Sequence, residues 1–426
     1  MSEATLDEPR PANHSTEGPV FVSVVVPCWN NATLIGAALA SALEARSVPL
    51  EVLVIDDAST DGTRDVVARI ASSDPRVRLE TLPENRGVSA ARNHGLDLAR
   101  GDWLTMLDAD DRFAAGGLER LIASARVGDA RAIIGQQVWT DGARRWISRL
   151  YDIDAIRRPG LTSLAATPGL VYFVSPHAKL VHRSCWDGLR FEGRVLGDQA
   201  WIIRALLRAG DRVRVIGDTV YEWSRPRGGR AGSITHETRS DAVFGVRVAE
   251  AARVTFDAVA SEAEALPPAA RQRLLATYLQ RLFRSDLGVH LQQALRRGDP
   301  ALASLLQADA TFVRAMPPEA LGDSEGLARE IVIPPLRSWH RVPPEGRAAW
   351  WKLIADARSL DPSLASRPSG WRQRLALRIA LDLPSRIGPS VAQLVLVGTG
   401  LRERLAYRLH GLLRDRARTQ PIERPA

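Results

Sequence analysis

Residues 103–111 read Trp-Leu-Thr-Met-Leu-Asp-Ala-Asp-Asp, an apolar run that ends in three carboxylates within four residues. Such a run predicts a buried strand, and the Asp-x-Asp that follows would form a compact acidic cluster at its carboxyl end. A hard divalent cation prefers oxygen ligands of this kind and often binds together with substrate phosphates. Aspartates also serve simply to stabilise turns, so the neighbouring segments must decide between these two interpretations.

The chain before this stretch alternates between apolar runs and helical segments. Residues 21–26 and 51–55 are apolar runs rich in β-branched residues, which is typical of parallel strands buried on both faces. A shorter strand is predicted at 76–82 and a fourth at 103–107, and the predicted helices cover 34–45, 60–70 and 89–99. This order predicts an open α/β layer built from right-handed βαβ units.

Polar residues follow the predicted strands at the same edge of that layer. They lie at 27–30, 56–57, 85–86 and 108–111. Ligands of open α/β sheets bind beyond the carboxyl ends of the strands, so four polar segments there predict a nucleotide-type site. The chain has no Gly-x-Gly-x-x-Gly after its first strand and no Gly-Lys-Ser/Thr loop. Both a Rossmann dehydrogenase and a P-loop NTPase are therefore disfavoured.

The composition of the 426 residues is that of a globular protein, with 45% hydrophobic and 25% charged residues. Cys28 and Cys185 are the two cysteines and make no disulfide framework, which favours a reducing, cytoplasmic compartment. Residues 1–19 are polar and are expected to be a disordered lead-in rather than a targeting signal. No apolar run approaches the roughly 20 residues that span a bilayer.

The net charge of +8 is concentrated at the end of the chain. Residues 371–426 hold eleven Arg against four Asp and Glu, which is +7 by subtraction. Amphipathic helices are predicted at 371–383 and 401–413, each with an apolar and an Arg-rich face. Such helices could lie peripherally on the anionic inner face of a membrane, pack onto the rest of the protein, or form a subunit contact. No nucleic-acid partner is expected.

Four segments taken together resemble successive blocks of family 2 glycosyltransferases. They are residues 24–30, 54–63, 85–95 and 107–111, and a looser similarity extends to about residue 236. The resemblance implies the GT-A fold, a Rossmann-like and mostly parallel sheet flanked by helices. It also implies an inverting mechanism, a nucleotide-sugar donor that is usually a UDP-sugar, and Mn²⁺ or Mg²⁺ as the cofactor.

The resemblance also assigns donor-side roles to individual residues. Asp110 would ligate the metal, and Asp108 would reach the metal shell and the ribose. Asp111 is expected only to end the strand, and Asp61 only to begin a helix. The remaining expected contacts with the nucleoside, base and phosphates are Pro27, Asn30, Asp57, Asn85 and Arg92.

The acceptor half shows the same resemblance less closely. Residues 175–184 are similar to the family's Asn-Lys-Leu-x-x-Arg block, with Ala178 in place of Asn and Lys179 expected near the phosphates. Residues 191–201 resemble its Glu-Asp segment, in which Gly197 replaces Glu and Asp198 is the expected general base. A helix N-cap is the alternative role for Asp198. Residues 221–235 resemble a closing loop, with Arg230 as the expected phosphate contact.

These expectations define four segments and one leading function. After the lead-in, a GT-A domain is predicted at 20–240, with a nucleotide-sugar half at 20–115 and an acceptor half at 116–240. A helical domain at 241–370 and the basic tail at 371–426 follow. The implied enzyme is a metal-dependent inverting hexosyl- or N-acetylhexosaminyl-type transferase acting on a cell-envelope polysaccharide, a teichoic-type polymer or a lipid-linked glycan. The alternatives are a non-catalytic nucleotide-binding scaffold of a membrane-associated assembly and a nucleotidyltransferase.

Overall fold

A ten-stranded mixed sheet forms the first half of the protein in the computed structural model. The structure describes residues 20–46, 48–147, 154–224, 242–321, 325–366, 368, 370–383 and 387–397. Three predictions lie outside these ranges: the lead-in of residues 1–19, the phosphate contact of Arg230 and the helix at 401–413.

The first four strands are parallel. The strands β1, β2 and β4 are completely buried, as expected of runs that are apolar on both faces, whereas β3 at the edge of the sheet is only partly buried. Helices connect them. In chain order the elements are β1 Val22–Cys28, α1 Ile35–Leu43, β2 Leu50–Asp56, α2 Thr63–Ser73, β3 Val77–Thr81, α3 Val88–Leu98 and β4 Trp103–Met106. The α/β layer predicted from the alternating pattern is therefore confirmed.

The second half of the sheet adds shorter strands and one long one. Its elements are β5 Arg112–Phe113, α4 Gly117–Ala125, β6 Ala132–Thr140, β7 Arg145–Trp146, α5 Asp154–Arg157, β8 Gly160–Thr162, β9 Lys179–His182, α6 Arg183–Trp186, α7 Gly197–Ala209 and β10 Val213–Ser224. The strand order is β3-β2-β1-β4-β9-β6-β10-β5, with β7 beside β6 and β8 beside β10. Because β9 is antiparallel to both β4 and β6, the carboxyl ends of β6 and β10 lie at the same edge as those of β1 to β4.

From residue 242 onward the described residues form helices and no strands. They are α8 Ala242–Glu262, α9 Pro268–Arg281, a π-helical turn Leu282–Leu287, α10 Gly288–Arg297, α11 Leu302–Arg314, α12 Pro318–Leu321, a second π-helical turn Leu327–Val332, α13 Ile333–Arg337, α14 Pro344–Leu360, α15 Trp371–Asp382 and α16 Gly388–Val397. Among the described helices, none combines the length and the apolar composition needed to cross a membrane.

The predicted start of the second helix was wrong by three residues. It was placed at residue 60, but α2 begins at Thr63. The reason is local: Asp61 accepts hydrogen bonds from the backbone N–H of Thr63, at 2.9 Å, and from the N–H of Ala32, at 3.1 Å. Asp61 therefore closes a turn before the helix and joins this turn to the loop after β1, which agrees with the structural role expected for it.

Candidate active site

The loops that follow β1, β2 and β3 are tied together by hydrogen bonds at the carboxyl edge of the sheet. The side chain of Asn30 accepts from the N–H of Thr60 at 2.9 Å. The two carboxylate oxygens of Asp57 accept from the N–H groups of Arg86 and Gly87, at 2.8 and 2.7 Å. Asp57 is buried and shapes the loop that carries the exposed Asn85, so the contact with a base that was predicted for Asp57 would have to use its remaining lone pairs.

Four residues of this edge have a left-handed backbone although they are not glycine. Their φ angles lie between 53° and 58°, a region that non-glycine residues enter at a cost. These residues are Asn30, Ala58, Ala178 and Leu196. Asn30 is itself a predicted site residue, and the other three lie within two positions of one. Such strain is typical of sites where the surrounding structure holds the backbone in place.

The three aspartates after β4 form one compact cluster. One carboxylate oxygen from each of Asp108, Asp110 and Asp111 lies within 4.8 Å of the other two. Burial, together with the nearby charges of Asp110 and Asp108, raises the pKa of Asp111 well above its ordinary value. A divalent cation among these oxygens would replace that repulsion by attraction. The donor set therefore fits a hard cation such as Mn²⁺ or Mg²⁺.

Asp108 is held between Arg92 and His177, two side chains from distant parts of the chain. Arg92 donates from Nη2 to Oδ1 at 3.1 Å, and His177 Nε2 lies 3.0 Å from Oδ2. Burial alone would raise the pKa of Asp108. The charges of His177 and Arg92 and their hydrogen bonds outweigh this effect and hold the pKa well below its usual range. Asp108 is therefore an oriented, ionised carboxylate at the edge of the acidic cluster.

Tyr221 on β10 links the two ends of the cluster. Its hydroxyl accepts from the backbone N–H of Asp108 at 3.2 Å and donates to Asp111 Oδ2 at 2.9 Å. The other oxygen of Asp111 accepts from the N–H of Ser224 at 2.8 Å. Asp111 was expected only to end the strand. It does lie in a turn, but its buried carboxylate also fastens the end of β10 beside the cluster, which corrects that expectation.

Lys179 has different partners from those expected. Its side chain is directed into the protein, and its ammonium donates to the carbonyl oxygens of Ser175 and His177 at 2.6 and 3.3 Å. It also lies 3.9 Å from the centre of the Phe173 ring. Burial lowers its pKa well below the ordinary value, an effect that the charge of Asp198 opposes. The predicted phosphate contact is therefore corrected: this buried lysine supports the turn that carries His177.

Asp198 stands in the first turn of α7, where an acidic side chain interacts favourably with the helix dipole. Leu196 occupies the cap position, so the alternative role of Asp198 as N-cap is not the one observed. A Cβ atom on Gly197 would lie 2.3 Å from the carbonyl oxygen of Glu192. This backbone therefore has no room for the glutamate that the family block carries at that position.

Helix α3 connects the acidic cluster with the loop that leads into α7. Arg92 binds Asp108 and also lies over the ring of Phe191, at 5.4 Å. The next residue, Asn93, exchanges two hydrogen bonds with the backbone of Phe191, at 2.8 and 2.9 Å. Ser89 donates to the carbonyl of Gly193 at 2.6 Å. One helix thus positions both the predicted donor side and the predicted base.

The structure brings most of the predicted residues to this edge, but His177 and Tyr221 were missed. His177 stacks on Tyr221 with ring centres 5.0 Å apart. The sequence did contain a signal for His177, since it stands two residues before Lys179 in a segment already assigned to the site. Tyr221 begins the segment interpreted as a closing loop, and nothing local shows that its hydroxyl reaches residues more than a hundred positions earlier.

Comparisons with known proteins agree with this architecture. The model of Glycosyl transferase family 2 matches residues 23–189. Succinoglycan biosynthesis protein ExoO of Rhizobium meliloti is 33% identical over 254 residues, which cover 57% of this chain and 71% of ExoO. The putative teichuronic acid biosynthesis glycosyltransferase TuaG of Bacillus subtilis is 36% identical over 100 residues, which cover 24% of this chain and 40% of TuaG.

Among solved structures, S. aureus TarS 1–349 in complex with UDP-GlcNAc has a similar fold. The TM-score is 0.60 at 21% sequence identity, and the alignment covers 82% of this chain and 92% of the TarS chain. The aligned 82% of this chain is more than the part that ends with the last strand at Ser224, so the alignment extends into the helical region. At this level of identity the similarity concerns the fold alone.

Proposed function

Because this chain belongs to glycosyltransferase family 2, we propose that it moves a sugar, with inversion, from a nucleotide-sugar to an acceptor hydroxyl. Within this proposal, the nucleotide-sugar donor is a UDP-sugar. The observation that carries the proposal is the compact cluster of Asp108, Asp110 and Asp111 at the carboxyl edge of the sheet. Within the proposal, residues 20–115 bind the donor and residues 116–240 bind the acceptor.

On the donor side, Asp110 and Asp108 would hold Mn²⁺ or Mg²⁺, with Asp111 completing the cluster. The cation would act as a Lewis acid that neutralises the charge of the leaving diphosphate. Arg92 and His177 keep Asp108 ionised and fix its orientation. The predicted nucleoside contacts Pro27, Asn30, Asp57 and Asn85 lie on or beside the loops at the same edge.

On the acceptor side, Asp198 is the proposed general base. In-line attack on the anomeric carbon requires one carboxylate that takes the proton of the acceptor hydroxyl. Asp198 suits this task because it is half-buried and lies at the start of a helix that is joined to the acidic cluster through α3. Arg230, in the predicted closing loop, remains our proposed contact for the phosphates.

The proposed acceptor is a cell-envelope polysaccharide, a teichoic-type polymer or a lipid-linked glycan. The names of two relatives support this class, since ExoO is a succinoglycan biosynthesis protein and TuaG a putative teichuronic acid glycosyltransferase. Each name describes the relative that carries it. For this chain the acceptor class is a proposal, which turnover assays with a panel of such acceptors would test.

Release of nucleoside diphosphate is the direct test of the donor reaction. Purified protein with Mn²⁺ is incubated with UDP-, GDP- and TDP-sugars, and Asp110→Ala and Asp198→Asn are assayed beside the wild type. We expect release by the wild type with at least one donor and almost none by either variant. Asp218→Asn is the control, because that side chain is 55% exposed and its nearest cationic atom is 3.7 Å away on Arg120.

The same assay separates the alternatives. A wild-type protein that binds nucleotide without turnover would support a non-catalytic scaffold. Release of inorganic pyrophosphate from a nucleoside triphosphate would support a nucleotidyltransferase. Full activity of Asp198→Asn with an acceptor present would remove Asp198 as the base while leaving the donor assignment intact.

We also propose that the basic tail, residues 371–426, binds peripherally to the surface of an anionic membrane. Three apolar side chains of α15 and α16 are exposed: Trp371 at 63%, Leu375 at 42% and Leu394 at 70%. The guanidinium of Arg372 lies 5.3 Å from the Trp371 ring, so cationic and apolar groups are adjacent. Such a combination binds anionic lipid surfaces.

Co-sedimentation with vesicles tests this contact. We expect the protein to sediment with vesicles that contain phosphatidylglycerol and not with pure phosphatidylcholine. The triple variant W371S/L375S/L394S should bind more weakly. Equal sedimentation of the triple variant and the wild type would refute a role for this exposed face.

A further inference from the structure

A buried polar network joins the helical region to the helix that carries Asp198. Gln199, the residue after Asp198, accepts at Oε1 from Arg281 Nη1 at 2.8 Å and from the hydroxyl of Tyr278 at 3.1 Å. Its Nε2 donates to Asp286 Oδ1 at 3.3 Å. The other oxygen of Asp286 lies 2.5 Å from Arg281 Nη1. Both ends of the Gln199 amide are thus bound by residues of the helical region.

The π-helical turn Leu282–Leu287 makes this arrangement possible. In a π-helix the hydrogen bonds span five residues, so position 286 comes beside position 281. In a regular α-helix these two positions would not face each other. The wider turn therefore pairs Arg281 with Asp286 and directs both towards Gln199.

These groups are withdrawn from water. Gln199 is 3% exposed, Arg281 4% and Tyr278 0%. Burying a charged pair together with an amide is costly unless the hydrogen bonds are made, and apolar residues of similar size often stabilise a protein at least as well. Stability alone therefore does not explain why this contact is polar.

The location of the network suggests another role. Burial raises the pKa of Asp286, the charge of Arg281 opposes this effect, and the charge of Asp198 adds to it, so Asp198 lies within electrostatic range of the network. The other end of α7 has its own attachment: Arg204 and Arg208 bind Glu262 at the end of α8, at 3.0 and 2.8 Å. These two polar contacts attach helix α7 to the helical region at separate points, and only the first is adjacent to Asp198.

We propose that Arg281 and Asp286 are positioning residues of the transfer reaction, because they hold Gln199 and with it the helical turn that carries Asp198. The inference rests on the proposed function, in which Asp198 takes the proton of the acceptor. The helical region is then part of the catalytic apparatus, because the geometry of the base depends on its contact with α7. A displacement of about 1 Å at a reacting group can cost roughly a hundredfold in rate.

The test compares R281M, D286L and the double variant R281M/D286L in the full-length protein. We expect each single variant to melt at a lower temperature, since it leaves one charge buried without its counter-charge. The double variant should melt at a higher temperature than either single variant, because it leaves no buried charge unpaired, although Gln199 then keeps only Tyr278 as a partner. Its kcat should nevertheless stay about 10–100-fold below that of the wild type, with the KM for the donor changed by less than about threefold.

Glu262→Gln is the matched control, because it loosens the other attachment of the same helix. We expect its kcat to stay within about twofold of the wild-type value, since the first turn of α7 keeps its contacts. Hydrogen exchange of the amides at 197–201 provides a readout that needs no activity. We expect faster exchange in the double variant and unchanged exchange in the control.

Recovery of kcat together with the melting temperature in the double variant would overturn the proposal, and so would unchanged exchange at 197–201. A wild-type protein that turns over no donor would instead refute the proposed function. Even then, the exchange measurement would decide whether Arg281 and Asp286 hold the first turn of α7.

Discussion

His177 Nε2 lies 3.0 Å from Asp108 Oδ2, although the two residues are separated by 69 positions in the chain and belong to opposite halves of the sheet. The imidazole also stacks on Tyr221 with an angle of 19° between the rings. Asp108 is in this way fixed by residues that belong to the second half of the sheet. The acidic cluster therefore takes its final shape only when both halves of the sheet are in place.

Replacing His177 tests this link. His177→Phe keeps an aromatic ring that can stack on Tyr221 but removes the group that orients Asp108. We expect activity to fall by about 10–100-fold, which is the usual cost of losing a group that orients a metal ligand. Diphosphate release measured against Mn²⁺ concentration should show a weaker apparent affinity. Wild-type kinetics in a folded His177→Phe protein would contradict the role assigned to this histidine.

Metal binding can be measured without any substrate. Titration calorimetry with Mn²⁺ should show a clear binding signal for the wild type and a strongly reduced one for Asp110→Asn, which loses a charged oxygen ligand. Asp97→Asn serves as the control, since its side chain is 54% exposed and pairs with Arg190. Chelation with EDTA should abolish diphosphate release, and added Mn²⁺ should restore it. Equal heats for the wild type and Asp110→Asn would argue against Asp110 as a ligand.

The parallel half of the fold could be predicted from the sequence because its signals are local. Runs such as residues 21–26 are apolar on both faces and rich in β-branched residues, which is typical of a buried parallel strand. Strands of two residues, such as β5 and β7, carry no periodic signal and exist only through pairing with β10 and β6. The insertion of β9 between β4 and β6 is a long-range event that no local pattern encodes.

The same distinction explains which parts of the site could be predicted. Asp110 stands in a recognisable segment directly after a strand, so its location could be predicted. The contacts of Tyr221 and His177 with the aspartates depend on how distant strands align. Lys179 was assigned to the phosphates because lysine is rare in this chain, yet its direction is set by burial beneath the turn at 175–178. Rarity of a residue type does not reveal where its side chain points.

A methyl group at position 197 should destabilise the protein, because the backbone around Gly197 has no space for it. Gly197→Ala would place Cβ 2.3 Å from the carbonyl oxygen of Glu192, so the backbone before α7 must shift. We expect a loss of about 1–3 kcal/mol in unfolding free energy and a lower kcat, because Asp198 moves with the helix. Gly36→Ala in α1 is the control: its new Cβ would be 3.9 Å from the nearest neighbour, Val66.

The control variant should not lose stability as Gly197→Ala does. Alanine is a better helix former than glycine by up to about 1 kcal/mol, so Gly36→Ala should be neutral or mildly stabilising. Urea denaturation of both variants measures the two effects. Equal stability of the two alanine variants would show that the backbone around residue 197 adapts more easily than the contact distance implies.

Asp309 in α11 should make stability depend on pH. It is 0% exposed, and neither carboxylate oxygen has a hydrogen-bond partner among the described residues. Burial raises its pKa well above the ordinary value. The folded state therefore binds the proton more tightly than the unfolded state, in which the pKa is about 3.9. Stability is then lost as the pH rises from about 4 towards the raised pKa, at up to about 1.4 kcal/mol per pH unit.

Asp309→Asn isolates this contribution, because the amide has nearly the same shape and does not titrate. We expect the variant to gain stability relative to the wild type as the pH increases above about 4, with the difference becoming constant once the pH exceeds the folded-state pKa. Urea denaturation of both proteins at several pH values between 5 and 8 gives the difference directly, and all other titrating groups cancel in it. Parallel stability curves would mean that Asp309 gains a solvating partner in solution, since a buried carboxyl group without one must respond to pH.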